Sequence, residues 1–455
     1  MPSDKIIYVC SKCDAQASKW SGRCFECGAW GTLEAQSLKL KTQSLGAGGR
    51  EIKNKNTAAG EVMTFEDLQG QELKRITADE PLAQAIFPLG LPLGSITLLG
   101  GEPGAGKSTV ALQLSLQFST KNKVLYFSSE ESAVQIKEKV QRLGQPNNNF
   151  LFSAEHNTAV MSATIAKHGV QLVVVDSIQT IHNPEMAAEP GSLNQLKASM
   201  VALMTIAKEC EVAIIVIGHV TKEGVVAGPK TLEHLVDIVY YLEGDPDSRY
   251  RLLRSSKNRY GTAGKVSVLQ MTNGGLQVVK QAATAFISQY KPHVGSVITA
   301  VVDGGQVFFL EVQSLVTNSN FGYAKRTASG LPVKRVEVLL AVMKKRLNLN
   351  FDTHDVYVNL VGGFKINDPA MDVAICLSLI SSLKNKVASG QLVVFGEVGL
   401  TGELRPVKDT SLRLEAVQKN KFAKVLLPAG NMKSMIGLEL AAVDSLQTAV
   451  EKLGW

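Results

Sequence analysis

Residues 95–109 read SITLLGGEPGAGKST, and this stretch decides the fold. An apolar run, Ser95–Leu99, gives way to glycine-rich sequence and then to Val110, Leu112, Leu114 and Leu116. The pattern predicts a strand, a loop and a helix over Ser108–Phe118, in that order. Between strand and helix, Gly101 to Ser108 fits G-x4-G-K-[ST] in full. Glycines at these points let successive backbone N–H groups wrap phosphate oxygens at a helix N-terminus, where the aligned peptide dipoles also favour an anion. Gly101, Glu102, Pro103, Gly104, Ala105, Gly106, Lys107, Ser108 and Thr109 are therefore the candidate ATP-binding residues. Lys107 would reach the β/γ-phosphates and Ser108 would ligate Mg²⁺.

Working outward, strand and helix patterns alternate. Val124–Ser128 reads as a strand and Ser132–Leu143 as a helix; Leu172–Val175 is an apolar strand ending in Asp176; Val212–Gly218 is another. Such alternation predicts an α/β fold, an open parallel sheet with helices on both faces. An acid at the carboxyl end of a buried strand beside a P-loop is placed to hold Mg²⁺, so Asp176 is the candidate second magnesium residue; a helix N-cap is the plainer reading. Hydrolysis also needs a carboxylate to orient water. Glu130, just past VLYFS, is the first choice and Glu131 the second, although acids at that point also suit the start of a helix.

The chain has 455 residues, enough for several domains, and is 45% hydrophobic, enough for a sizeable core. No apolar run approaches the ~18–20 residues of a membrane helix, and the N-terminus lacks a secretory h-region, so a cytoplasmic protein without a membrane partner is expected. Four of the six cysteines, Cys10, Cys13, Cys24 and Cys27, form C-x2-C-x10-C-x2-C. Two such knuckles, with Gly22 and Gly28 supplying permissive backbone, suit tetrahedral Zn²⁺, and metal would supply the folding energy that so short a segment lacks. A pair of disulfides, or a redox pair, is the alternative, disfavoured in a reducing compartment. Cys210 and Cys376 lie in apolar sequence and are expected to be buried thiols. The divisions expected are a zinc module at 1–34, a polar linker at 35–70, the ATPase domain at 71–280 and an α+β domain at 281–455.

GEPGAGKST, SSEES at 128–132, VVVDSIQT at 173–180, HVTKEG at 219–224, AGPKTLEH at 227–234 and SSKNRYG at 255–261 together resemble the bacterial RadA (Sms) family of DNA-repair proteins. The resemblance covers nearly the whole chain. KNRYG, residues 257–261, stands where the family has KNRFG; the exchange keeps an aromatic ring. The resemblance implies a RecA-like ATPase that assembles as a homo-oligomeric ring, a hexamer. It implies DNA-dependent ATP hydrolysis in homologous recombination, branch migration on single-stranded and branched DNA, and a RecA-type recombinase partner. It further implies that Lys257 and Arg259 reach the neighbouring subunit's γ-phosphate, where charge supplied in trans stabilises phosphoryl transfer; solvated charges at a strand end are the plainer reading. Segments 178–194 and 221–230, at the carboxyl ends of the sheet, would line the channel, with Lys222 and Lys230 as candidate DNA contacts; ordinary surface lysines are the plainer reading.

Past Ile287 the pattern becomes α+β. Strand runs break at Asp303-Gly304-Gly305, a hairpin signal. Helices are expected at Val333–Leu347, Pro369–Leu383 and Ser411–Asn420, and strands at Val356–Leu360, Val393–Gly396 and Lys424–Leu427. INDPAMDVAI at 366–375 and GEVGLTGELRPV at 396–407 resemble the proteolytic domain of the Lon family, which uses a Ser–Lys dyad. The serine position is Ala370 here, and the lysine position falls near Ser411, so a non-proteolytic scaffold is expected. The net charge of +7 is mild, but it concentrates: seven bases between residues 325 and 346 face one acid, Glu337. Lys334, Arg335, Lys344, Lys345 and Arg346 are candidate DNA contacts, a solvated helix face being the alternative. Two other function classes share these features: a nucleotide-regulated signalling ATPase and an ATP-dependent peptidase. The missing dyad speaks against the second.

Overall fold

A computed structural model describes residues 6–12, 16–17, 19–24, 28–37, 64, 72–219, 232–244, 248–287, 290–319, 324–363, 366–431 and 437–455. Its central sheet has nine strands: β1 (Ile96–Gly101), β2 (Val124–Ser128), β3 (Phe150–Ser153), β4 (Leu172–Asp176), β5 (Ala213–His219), β6 (Ile238–Glu243), β7 (Tyr250–Asn258), β8 (Val266–Thr272) and β9 (Gly275–Val278). They run in the order β3-β2-β4-β5-β1-β6-β7-β8-β9. From β3 to β6 neighbouring strands are parallel; from β6 onward they are antiparallel. The P-loop strand β1 is thus central, and all six of its residues are buried.

Alternation along the strands explains how one sheet carries two cores. Leu99, Leu172 and Val174 face a cluster with Val110 and Leu114 of helix α1 (Lys107–Ser119) and Ile136 and Val140 of α2 (Ala133–Leu143). Leu98, Val173 and Val175 face the opposite cluster, with Met161 and Ile165 of α3 (Thr158–His168) and Leu196, Met200 and Leu203 of α4 (Leu193–Glu209). Strand period two and helix period 3.6 are both satisfied, which makes this a three-layer α/β fold, consistent with the RecA-like core that the resemblance implies. The start of α2 is set by Ser132, whose capping box with Gln135 leaves neither Glu130 nor Glu131 needed as a cap. One cysteine expectation needs correcting. Cys376 is fully buried, but Cys210 ends α4 and is only partly covered.

The C-terminal region folds around a seven-stranded mixed sheet. Its strands are β10 (Ser296–Asp303), β11 (Gln306–Asn318), β12 (Arg326–Ser329), β13 (His354–Leu360), β14 (Leu392–Val394), β15 (Lys424–Pro428) and β16 (Glu439–Val443), in the order β12-β13-β11-β10-β14-β15-β16. The β10–β11 hairpin turns through Gly304 and Gly305 at φ 59° and 72°, left-handed values that a two-residue hairpin of this hand requires. Helices α5 (Val333–Leu347), α6 (Asp372–Lys384) and α7 (Thr410–Lys419) pack on the sheet.

β7 belongs to both regions. Leu253 joins the α1 side of the ATPase core, whereas Leu252, with Val266 and Val268 of β8, joins the C-terminal cluster containing Phe308 and Leu310. Arg254 adds paired hydrogen bonds to both carboxylate oxygens of Asp303, at 2.5 and 2.8 Å. Because Leu252 is 5% exposed, Leu252→Ala should destabilise the protein by about 2–5 kcal/mol. Urea titration should show a lower midpoint, with the C-terminal region released along with the ATPase core.

Candidate nucleotide site

In-register parallel pairing brings the carboxyl ends of β1, β2 and β4 to one edge of the sheet. Ser128 pairs with Asp176, and Gly101 with Leu242 of β6. The backbone packs tightly there: a Cβ on Gly101 would lie 2.5 Å from the Leu242 carbonyl. Gly106 opens α1 at φ 102°, a conformation closed to other residues.

Lys107 is buried and donates to the carbonyls of Gly101 (3.0 Å) and Glu102 (2.9 Å). Burial lowers its pKa, against the attraction of Asp176 and Glu130. Asp176, 3% exposed, accepts the Tyr126 hydroxyl on Oδ2 at 2.7 Å. Its Oδ1 is buried and has no hydrogen-bond partner among the described residues. Burial raises the Asp176 pKa, while the Tyr126 and Ser108 hydroxyls pull it back. A desolvated carboxylate oxygen near the Ser108 hydroxyl is a hard-oxygen pair of the kind Mg²⁺ takes, so the residues fit the ion. Tyr126 was not singled out from sequence; a phenol inside the buried run VLYFS must find a partner for its hydroxyl, and that was the available signal.

The two glutamates separate by their neighbours. Glu131 forms an ion pair with Lys139 of α2. Glu130 accepts the Ser177 hydroxyl at 2.5 Å and acts electrostatically on Lys107 and Asp176. Ser177, the residue after Asp176, is a second group that sequence reading missed.

Lys257 and Arg259 lie elsewhere. Lys257 pairs with Val239 and Asn258 with Ile238, which in turn pairs with Thr97 at the start of β1. Own P-loop and own cations are therefore at opposite ends of the sheet, separated along the strand direction by roughly 10 Å at ~3.3 Å per residue. Lys257 donates to the carbonyls of Glu233 (2.9 Å) and Val236 (2.8 Å), and Arg259 pairs with Asp237 at 3.2 Å. Desolvation, then the neighbouring Arg259, lowers the Lys257 pKa.

The basic cluster divides. Arg335 turns inward to Asp372 at the start of α6, an acid only 1% exposed, and also reaches the Val398 carbonyl. It is a packing ion pair rather than part of an exposed phosphate track. Lys344 pairs with Asp352 at the surface. Lys334, Lys345 and Arg346 are exposed. Lys222 and Lys230 lie outside the described residues. The serine position of the Lon pattern, Ala370, is fully buried, and its carbonyl accepts the Gly396 N–H at 2.8 Å.

In the N-terminal module, Ile6–Cys10 pairs with Gln16–Ala17 and Leu33–Ser37. Among the described residues its buried cluster is Cys10, Cys24 and Leu33, too small to fold 30 residues unaided. Gly28 sits at φ 73° with its N–H on the Cys24 carbonyl at 2.9 Å, a knuckle geometry. Gly22 is not in the left-handed region, contrary to expectation; it lies against the Trp30 ring, 3.8 Å from where a Cβ would be. Cys13 and Cys27 lie outside the described residues. Two buried thiols at a knuckle are suitable donors for zinc.

Fold and site together define a RecA-like P-loop ATPase with an N-terminal zinc ribbon and a C-terminal Lon-like domain. Family models agree by segment: an AAA domain over residues 65–225, subunit ChlI of Mg-chelatase over 327–431, and a rubredoxin metal-binding domain over 8–35. The chain is 36% identical over 456 residues to the DNA repair protein RadA of Pseudomonas aeruginosa, covering 100% of both chains. It is 38% identical to that of Rickettsia bellii, covering 94% of each. The chain belongs to the RadA family of DNA-repair ATPases. Among solved structures, a KaiC-like protein from Pyrococcus horikoshii OT3 aligns with 46% of this chain at 17% identity and a TM-score of 0.37, too low to carry an argument. Among the described residues no helix is long and apolar enough to cross a membrane.

The raised Asp176 pKa has a thermodynamic consequence. The ionised carboxylate is disfavoured in the fold, so without metal it subtracts stability at neutral pH; this cost shrinks once pH falls below the folded pKa and is gone below the ordinary carboxylate pKa. Asp176→Asn should raise the metal-free melting temperature while abolishing Mg²⁺-dependent ATP turnover. Thermal melts with and without Mg²⁺, beside an ATPase assay, check both halves.

Proposed function

We propose that the chain is a DNA-dependent ATPase that works in the cytoplasm as a homo-oligomeric ring, a hexamer, moving on single-stranded DNA to drive branch migration in recombinational repair, in concert with a RecA-type recombinase. The observation that carries this reading is the separation of Lys257 and Arg259 from their own P-loop. Two cations at the far end of the sheet cannot serve the nucleotide bound by the same chain. In a ring, a neighbour's pair can, and the site is then completed only by assembly.

This reading carries a division of labour. P-loop residues Gly101 to Thr109 bind the phosphates through backbone N–H groups and Lys107. Ser108 and Asp176 would hold Mg²⁺, which when bound neutralises phosphate charge. Glu130, steered by Ser177, orients the attacking water. Lys257 and Arg259 of the adjacent subunit stabilise charge on the transferred phosphoryl group. Zn²⁺ on Cys10, Cys13, Cys24 and Cys27 is structural. Lys222, Lys230, Lys334, Lys345 and Arg346 supply phosphate contacts to DNA, with Lys344 available once Asp352 is displaced. The C-terminal domain has no peptidase role, since a buried alanine stands at the nucleophile position.

Single-stranded DNA should stimulate ATP turnover; a rate indifferent to DNA would overturn the motor. Lys257→Ala should keep ADP binding and ring assembly, followed by sedimentation, and lose DNA-stimulated hydrolysis by on the order of a thousandfold. Alanine at Lys334, Lys345 and Arg346 together should weaken DNA binding and reduce its salt slope by about 0.7 for each lost single-strand phosphate contact, read from binding isotherms at several salt concentrations.

A further inference from the structure

Arg251, the second residue of β7, is 3% exposed and belongs to none of the motifs above. Its Nε donates to the carbonyl of Ala105, inside the P-loop, at 3.1 Å. Its Nη1 donates to the carbonyls of Ser248 (2.5 Å) and Tyr250 (2.8 Å). Those two residues grip the C-terminal domain. The Ser248 hydroxyl donates to the Gly362 carbonyl at 3.3 Å. The Tyr250 hydroxyl donates to the Ala285 carbonyl at 3.2 Å, and its ring meets Phe286 edge-on at 5.1 Å. Strand alternation produces this arrangement: Tyr250, Leu252 and Arg254 point to the C-terminal domain, while Arg251 and Leu253 point to the ATPase core.

A trans peptide sets its C=O and the following N–H on opposite sides. Holding the Ala105 carbonyl toward Arg251 therefore aims the Gly106 N–H away from it. Gly104 and Gly106, at φ 79° and 102°, have no side chains with which to fix that peptide themselves. The desolvated guanidinium, in turn, needs its carbonyl partners on both sides.

We propose that Arg251 is a positioning residue of the nucleotide site: it holds the Ala105–Gly106 peptide with its N–H toward the phosphates and joins that peptide to the grip on the C-terminal domain, so that nucleotide binding and docking of the domain form one coupled equilibrium. The proposal rests on nucleotide binding at the P-loop and is independent of DNA or ring formation. Coupling is reciprocal: whatever nucleotide does to the junction, the junction does to nucleotide affinity.

The test uses the full-length protein with Mg²⁺ and a fluorescent N-methylanthraniloyl-ADP. Arg251→Met should bind the probe about tenfold or more weakly, with the loss of ATPase activity falling on KM more than on kcat. Affinity equal to that of the unaltered protein overturns the positioning role. Hydrogen exchange reads the coupling without any variant. Mg²⁺-ADP should slow exchange at residues 101–109 and also at 248–254 and 360–363. Slowing confined to the P-loop overturns the link. Arg251→Lys, which keeps the charge but cannot span both sets of carbonyls, should keep P-loop protection and lose the remote part; retention of the remote part overturns the link as well. If Arg251→Met does not fold, the exchange pattern and the lysine variant decide. Failure of the unaltered protein to bind the probe at all is a different result, which overturns the nucleotide reading and this proposal with it.

Discussion

The structure depends on parallel pairing of β1 with β5 and β6. That pairing buries the P-loop strand on both faces and ends β1, β2 and β4 along one edge. Each strand end then delivers its share: the P-loop from β1, Glu130 after β2, Asp176 and Ser177 at the end of β4. No single segment could assemble them. The sheet works as a ruler, because a slip of one residue in any strand would turn its terminal side chain to the opposite face.

The edge also concentrates unfavourable electrostatics. Lys107 and Asp176 are both desolvated, and each has its pKa moved against its charged form. The lysine rests on two carbonyls, and half of the Asp176 carboxylate has no partner among the described residues. A fold selected for stability alone would fill such a place with apolar groups. Polar groups kept dry and directed at one point suit an incoming polyanion with its metal ion.

Legibility in the sequence followed the range of the interaction. The P-loop, the strand–helix alternation, the Gly304-Gly305 hairpin and the α5 helix are local patterns, and they were readable as such. Arg335 was not: seven bases in 22 residues read as one surface, and only the approach of α6 shows that this one faces a buried acid. The same holds for Tyr126, whose partner is fifty residues away, and for Lys257, whose distance from its own P-loop follows from strand register rather than spacing. Cys210 illustrates the converse. Apolar neighbours suggested burial, but a helix C-terminus lifts the residue toward solvent.

The shared cluster around Leu252 bears on how such a chain can be taken apart. A change of pattern near residue 280 invites a cut there, and by composition the two halves look separable. Their packing does not separate. Leu252, Val266 and Val268 would lose Phe308 and Leu310 as cover, and Arg254 would lose Asp303. The severed ATPase half would carry a fresh apolar patch on its antiparallel strands, a liability for solubility. In this protein the unit that can be excised, exchanged or inherited intact is larger than either region drawn from the sequence.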